Sequence, residues 1–333
     1  MKKVILACLG VALTLVLAAP AAVAQGALGT SSADVMINVQ PNASLTWILP
    51  SATYYTASLA TGGVGLRSQR NGAITISGVT TPMQAAYVYW AVITSTTTIP
   101  TPVKGLTVTR LWPIVTGVPA SQAVVGTLVG KGASPCWSGA QILVYRAALS
   151  TSTVALGNGV YKVQLKPGAS GRTDGADPWA STTTFPLFEG ASLAFIGTGN
   201  GTVKVFDQSV NGYSALSGQT FQTSLDYWLY LSSTVTGKTI WHNIGADGQV
   251  GASVADSAAS VETTTINSVL HAGPGATNAD SDWNGMRGAP VQQLWDNTAH
   301  DVTSLATGLY YLIIDFEAAN DCLTPVANLV EFR

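Results

Sequence analysis

The sequence predicts an all-β protein, built as two tandem jelly-roll-like antiparallel β-sandwiches behind a cleaved signal peptide. Composition is the first observation. Hydrophobic residues make up 47% of the 333-residue chain and charged residues 10%, against roughly 25% charged in an average domain, so there is a core to bury and intrinsic disorder is excluded. Punctuation is the second: 34 glycines and 15 prolines, among abundant Ser and Thr, break long helices and suit strands joined by turns. Periodicity is the third. No segment holds a helical repeat through three turns, whereas β-branched and aromatic runs of about 4–9 residues recur between Gly, Pro, Asn and Asp.

The chain opens on Met1-Lys2-Lys3, then an almost unbroken apolar run to Leu17, then Ala22-Val23-Ala24. Positive start, short apolar stretch and small-x-small site form a secretory leader cleaved after Ala24. Cys8 lies too early in the apolar run to be a lipid-modified residue and leaves with the leader. The expected location is therefore outside the cytoplasm, secreted or at the cell surface, in a bacterium.

Strands are expected at residues 73–76, 85–93, 106–111, 140–146, 160–165, 191–196 and 202–206. A second set follows at 227–231, 239–242, 309–316 and 326–332. Asn158-Gly159 is a hairpin-type dipeptide and Gly199-Asn200-Gly201 a turn between two strands. The roughly 300 residues after the leader are long for one sandwich and suit two. Gly159-Val160-Tyr161-Lys162-Val163-Gln164-Leu165 is echoed by Gly308-Leu309-Tyr310-Tyr311-Leu312-Ile313-Ile314. Tyr87-Val88-Tyr89-Trp90 has a looser counterpart in Tyr227-Trp228-Leu229-Tyr230. This repeat divides the mature chain into sandwiches at 25–210 and 211–333.

Losing Lys2 and Lys3 takes the formal charge from −2 to −4, so no overall basic character points to nucleic acid. No window beyond residue 25 is long and apolar enough for a helical membrane span. Cys136 and Cys322 remain after cleavage; in an oxidising compartment they form one disulfide, or else two buried thiols.

The motifs from Ala86 to Trp90 (A-Y-x-Y-W), Gly157 to Tyr161 (G-N-G-x-Y), Gly245 to Gln249 (G-A-D-G-Q), Trp295 to Ser304 (W-D-N-x-x-x-D-V-T-S) and Asp321 to Ala327 (D-C-L-x-x-V-A) resemble a loose group of uncharacterised bacterial secreted or cell-surface β-proteins. The resemblance implies an extracytoplasmic sandwich protein, with no activity and no functional residues to carry over.

Four kinds of chemistry bear on the polar and aromatic residues. Asp280-Ser281-Asp282-Trp283-Asn284-Gly285 sets side-chain oxygens at alternate positions before a Gly, as a Ca²⁺ loop does. Asp296 and Asp301 are candidates to complete it; the alternative is a solvated Asx turn. Trp137, Trp179, Trp283 and Trp295 stand in polar, turn-like contexts and are candidates to stack on sugar rings. Asp315 and Glu317 share one strand face, which a glycosidase's acid pair would need, and which discouragement of edge pairing explains equally. His242, His271 and His300 match no local metal motif, and no nucleophile motif is present. The chain is thus expected to be a non-enzymatic structural or adhesive protein that contacts an extracellular polymer or copies of itself; the alternative is a carbohydrate-binding protein using exposed aromatics.

Overall fold

The computed structural model describes residues 47–95, 99–134, 137, 139–175, 184–207, 213–214, 224–246, 262–273, 275–276, 294–317 and 322–333. Across them the chain is all-β, apart from a 3-10 turn at Thr101–Lys104 and a single helical turn at Thr303–Ala306.

The longest sheet has ten strands. Along it lie β17 (Trp295–Asp301), β14 (Thr239–Ala246), β19 (Cys322–Phe332), β11 (Gly201–Asp207) and β2 (Ala52–Gly65). The path continues through β10 (Leu187–Thr198), β4 (Met83–Ser95), β8 (Ala140–Ala148) and β7 (Thr127–Ala133), while β12 (Tyr213–Ser214) pairs with β19 off it. A second sheet runs β3 (Asn71–Ile76), β9 (Gly159–Leu165), β5 (Gly105–Trp112), β6 (Ser121–Val125). The third runs β1 (Trp47–Ile48), β13 (Ser224–Tyr230), β18 (Tyr311–Glu317), β15 (Thr263–Ile266), β16 (Val269–Ala272). Neighbours are antiparallel except β1 and β13, which run parallel with Trp47 opposite Trp228.

Side-chain alternation fixes how these sheets stack. In β4, Val88, Trp90 and Val92 point one way, Tyr89, Ala91 and Ile93 the other, and all six are buried. A strand covered on both faces lies inside a layered stack. The first set packs against β3, β9 and β5 of the second sheet through Ile74, Tyr161, Val163 and Val108. Tyr161 meets Phe195 edge-on at 5.0 Å.

Around β11 the long sheet turns back on itself, so its two wings face each other across a shared core of Tyr89, Ile142, Ile196, Val205, Leu329 and Trp295. Trp295 on β17 donates its indole N–H to Ser192 Oγ on β10 at 3.0 Å. Its ring lies where a Cβ on Gly190 would sit, 2.4 Å from the nearest ring carbon. Only a glycine permits that approach. Beyond the second wing, Trp241, Phe206 and Val330 pack onto Tyr227, Ile314 and Phe316 of the third sheet. The layer order is second sheet, first wing, second wing, third sheet.

One turn expectation is corrected and another is met. Asn158-Gly159 is not a hairpin: β8 belongs to the long sheet and β9 to the second sheet, so the chain changes layers there. Asn158 instead mimics a strand, accepting from Val79 N at 3.0 Å and donating to Val79 O at 2.9 Å. Gly199-Asn200-Gly201 is the expected turn between two strands, β10 and β11, although the two are not neighbours, because β2 lies between them. The turn arches over β2, with Gly199 N donating to Thr56 O at 2.7 Å, and a Cβ on Gly199 would come within 2.5 Å of Ala57 O.

The echoed segments fare differently. β9 and β18 both sit in covering sheets, whereas Tyr87 to Trp90 lie in the long sheet and Tyr227 to Tyr230 in the third.

Candidate functional site

Among the described residues, the face of the third sheet turned away from its core gathers aromatic and acidic side chains. On β13, Tyr227 and Leu229 point into the core; on β18, Leu312, Ile314 and Phe316 do. Alternation therefore turns Trp228 and Tyr230, and Tyr311, Ile313, Asp315 and Glu317, outward. Trp228 stacks on Tyr311 with ring centroids 6.1 Å apart and planes 21° from parallel. Tyr310, 46% exposed, sets its edge against Tyr311 at 5.2 Å and against Tyr230 at 6.0 Å.

Further along the same strands the face becomes acidic. Asp315 stands opposite Asp226 of β13 on one side and Thr265 of β15 on the other. Exposed Glu317 stands opposite Thr263. Aromatic faces present negative quadrupole density and carboxylates accept hydrogen bonds only. Groups of this chemistry suit cations or the C–H and O–H groups of a sugar. Asp315, partly buried, and exposed Glu317 lie on the same face of β18.

None of Trp228, Tyr230, Tyr310 or Tyr311 stood out in the sequence as a contact residue, because both faces of β13 and β18 carry aromatics. The distinguishing signal was the two-residue alternation with Leu229 and Leu312.

The residues singled out by sequence are placed as follows. Trp295 is fully buried in the inter-wing core and offers no face to a ligand, a correction of its expected exposure; its polar neighbours Asp296 and Asn297 are buried too. Trp137 is half-buried, its ring 5.9 Å from the Arg67 guanidinium carbon. Trp179, Trp283, Asp280, Asp282, Asn284 and Cys136, and the side chain of Cys322, lie outside the described residues. Asp296 and Asp301 do not converge. They are five positions apart on β17, on opposite faces and roughly 17 Å apart along the strand, with Asp296 buried and Asp301 exposed. Asp301 accepts from the Thr303 hydroxyl at 2.5 Å and the Thr303 backbone N–H at 3.0 Å, which hold its carboxyl below the usual range. It ties down the helical turn. At most one of the two could complete a metal loop elsewhere. Among the described residues no three His, Cys, Asp or Glu side chains gather as a metal cluster.

Three interior polar groups are locking elements. Glu189 and Arg67 form a buried ion pair, with Arg67 Nε 3.1 Å from each carboxylate oxygen. At one end of the inter-wing core Arg146 pairs with Asp207 at 2.5 Å and lies over the Tyr87 ring. Tyr89 donates to Asp207 at 2.9 Å; burial, then the Asp207 charge, hold its hydroxyl well above the ordinary tyrosine range. Tyr54 and Tyr87 share a hydroxyl–hydroxyl bond beside this group. His242 is the third, bonded through Nδ1 to Thr61 Oγ1 at 2.9 Å. Of the other histidines, His300 stacks on Trp241 at 5.5 Å and His271 meets His300 edge-on at 4.9 Å.

A shallow cavity of 280 Å³ between Ser58, Thr80, Asn200, Lys238, Glu331 and Arg333 mixes both charge signs. Glu331 there accepts from Leu59 N at 3.1 Å and lies 3.8 Å from Arg333.

No family model matches the chain, and no curated protein does. Among solved structures, one chain of the cryo-EM structure of the Sputnik virophage aligns over 92% of this chain and 89% of its own, at 7% identity and a TM-score of 0.17. That value is too low to carry any argument.

Proposed function

We propose that the protein is an exported, non-enzymatic structural or adhesive protein that works through surface contact, and that the outer face of the third sheet is its contact face. The observation that carries this reading is the partly exposed aromatic cluster of Trp228, Tyr230, Tyr310 and Tyr311, on the same face of the third sheet as Asp315 and Glu317. Aromatic anchors are the residues that dominate contact energies, and a monomer has no folding need to keep four of them at its surface. The secretory leader and the absence of a nucleophile or metalloprotease motif from the sequence support the same reading.

A second reading, carbohydrate binding, is favoured by the Trp228 and Tyr311 stack beside hydrogen-bonding carboxylates. The expected disulfide between Cys136 and Cys322 and a Ca²⁺ loop at Asp280, Asp282 and Asn284 would serve as stabilising features of either.

The test is co-sedimentation with insoluble polysaccharides, run beside sizing of the protein alone, for wild type and a Tyr310→Ala, Tyr311→Ala variant. Wild type should be retained or self-associate and the variant should lose that property at least tenfold, the loss of about 1.4 kcal/mol per decade. A variant that keeps wild-type behaviour while folding normally removes the contact face.

A further inference from the structure

Among the described residues ten large hydrophobic side chains are exposed, and five of them, Leu111, Trp112, Ile114, Val115 and Val125, belong to the hairpin of β5 and β6. Single exposed apolar residues are ordinary, whereas a cluster marks a contact. Four of the five stand where β5 ends and the connection begins, and the whole run from Leu111 to Pro119 holds no charged residue. Trp112 is 62% exposed and Ile114 84%. A Cβ on Gly117 would find nothing within 4 Å. The run is a projecting tip, not the wall of a recess.

The fold fastens this tip at its base. Arg110 N donates to Ala120 O at 2.7 Å across the neck. The buried Arg110 guanidinium donates through Nε to Pro113 O at 2.9 Å and through Nη1 to Thr153 O and Val154 O. Val118 N closes the turn onto Val115 O at 3.2 Å. A tip held in one shape loses little conformational entropy when it is covered.

Charge around the tip has one sign. Residues 35–173, which include the whole hairpin, carry nine Lys and Arg and no Asp or Glu. Lys162 stands opposite Thr109, three positions before Trp112, and points outward because Tyr161 and Val163 face the core. A convex, uncharged, apolar tip in cationic surroundings suits a lipid surface with anionic head groups. A protein partner would need a pocket shaped to receive it; a bilayer needs none. Tryptophan favours the boundary between head groups and acyl chains, where its ring is dry and its N–H is bonded. Backbone polar groups resist lipid. Here Pro113 and Pro119 have no N–H, and the Pro113 and Val115 carbonyls are already bonded.

We propose that the tip of the β5–β6 hairpin is a membrane-contact site for an anionic bilayer. Leu111, Trp112, Ile114 and Val115 enter the interfacial layer to a depth of about 5–10 Å, and Lys162 meets the head groups. The site is separate from the third-sheet face and does not rest on that reading.

Flotation of the mature chain, from Gln25 onward, tests this with two kinds of vesicle: phosphatidylglycerol with phosphatidylethanolamine, and phosphatidylcholine alone. The wild type should float with the anionic vesicles and more weakly with the zwitterionic ones. Trp112→Ser combined with Ile114→Ser should lower vesicle affinity about tenfold or more, with thermal stability unchanged because both side chains are exposed. Ile114→Trp should raise it. Lys162→Glu should weaken binding to the anionic vesicles several-fold and leave the zwitterionic ones unaffected. A wild type that floats with neither vesicle, or a double Ser variant that floats as well as the wild type, overturns the proposal. A double Ser variant that floats normally yet loses self-association or polysaccharide retention also overturns it, and makes the tip a protein or glycan contact. The Tyr310→Ala, Tyr311→Ala variant should float like the wild type; its failure to do so would assign lipid to the third sheet and defeat the site at the hairpin.

Discussion

His242 shows how much of this molecule's polar chemistry is structural. Asn297 Nδ2 donates to Thr61 Oγ1 at 2.8 Å, and Thr61 Oγ1 lies 2.9 Å from His242 Nδ1; the hydroxyl proton is left for the imidazole, which accepts it as a neutral ring. Burial first, and the neighbouring His300 second, push the His242 pKa down to about 4. The unfolded chain takes up a proton near pH 6.5 and the folded chain does not. The stabilisation from the neutral ring is therefore complete above pH 6.5 and is lost as pH falls from there towards 4. A difference of this size corresponds to about 3 kcal/mol. Urea unfolding of wild type should weaken by that order between pH 7 and pH 4.5, and His242→Gln should flatten that part of the profile. An unchanged slope in the variant would reassign the acid sensitivity to other groups. The sequence placed His242 in a strand, but Thr61 and Asn297 are 181 and 55 positions away, and no local pattern could have named them.

At the level of single elements, legibility followed side-chain type. β4, β9 and β18 were readable because β-branched and aromatic residues alternate along them. β2, Ala52–Gly65, was missed: its run of Ala, Ser, Thr and Gly has little strand propensity, yet it lies inside the long sheet between β11 and β10. The reason is close approach. A Cβ on Gly62 would meet Thr75 O of the second sheet at 2.7 Å, and one on Gly63 would meet Asn297 Cβ of β17 at 2.8 Å, so small residues let other layers close on both faces. β17 was misread as a polar loop with a stacking tryptophan, since Asp296, Asn297 and Thr298 look like turn chemistry. Pairing with β14 from Ala246 opposite Trp295 to Ile240 opposite Asp301 makes it a strand. The lock between these elements is Trp295 over Gly190. Gly190→Ala forces a methyl into the indole and should cost about 1–3 kcal/mol as overpacking, while Trp295→Ala should cost about 3–5 kcal/mol as a cavity. Denaturant midpoints of the two variants provide the measurement. Changes under about 0.5 kcal/mol in both would mean that the wings do not depend on this contact.

For the molecule as a whole, the physical consequence of the layer order is coupling. The strands from Ala52 to Thr198 and those from Gly201 to Phe332 each bury one face on a covering sheet, but their other faces bury only each other, through Tyr89, Ile142 and Ile196 on one wing and Val205, Leu329 and Trp295 on the second. Hydrogen bonding continues across the join, with β11 pairing both β2 and β19. β1, the first described strand, reaches the third sheet and pairs with β13, so the chain ties its beginning to its far layer. Separating the wings would expose one of the three main apolar clusters to water, at about 25 cal/mol for each Å² uncovered. The two wings should therefore melt together: tryptophan signals from Trp90 in the first and Trp241 in the second should follow one transition, and calorimetry should show a single peak. Each half expressed alone, residues 47–198 or 199–333, should fail to give a cooperative transition. Two resolved peaks in the whole chain, or a half that melts cooperatively near the temperature of the whole, would show that the inter-wing core adds little.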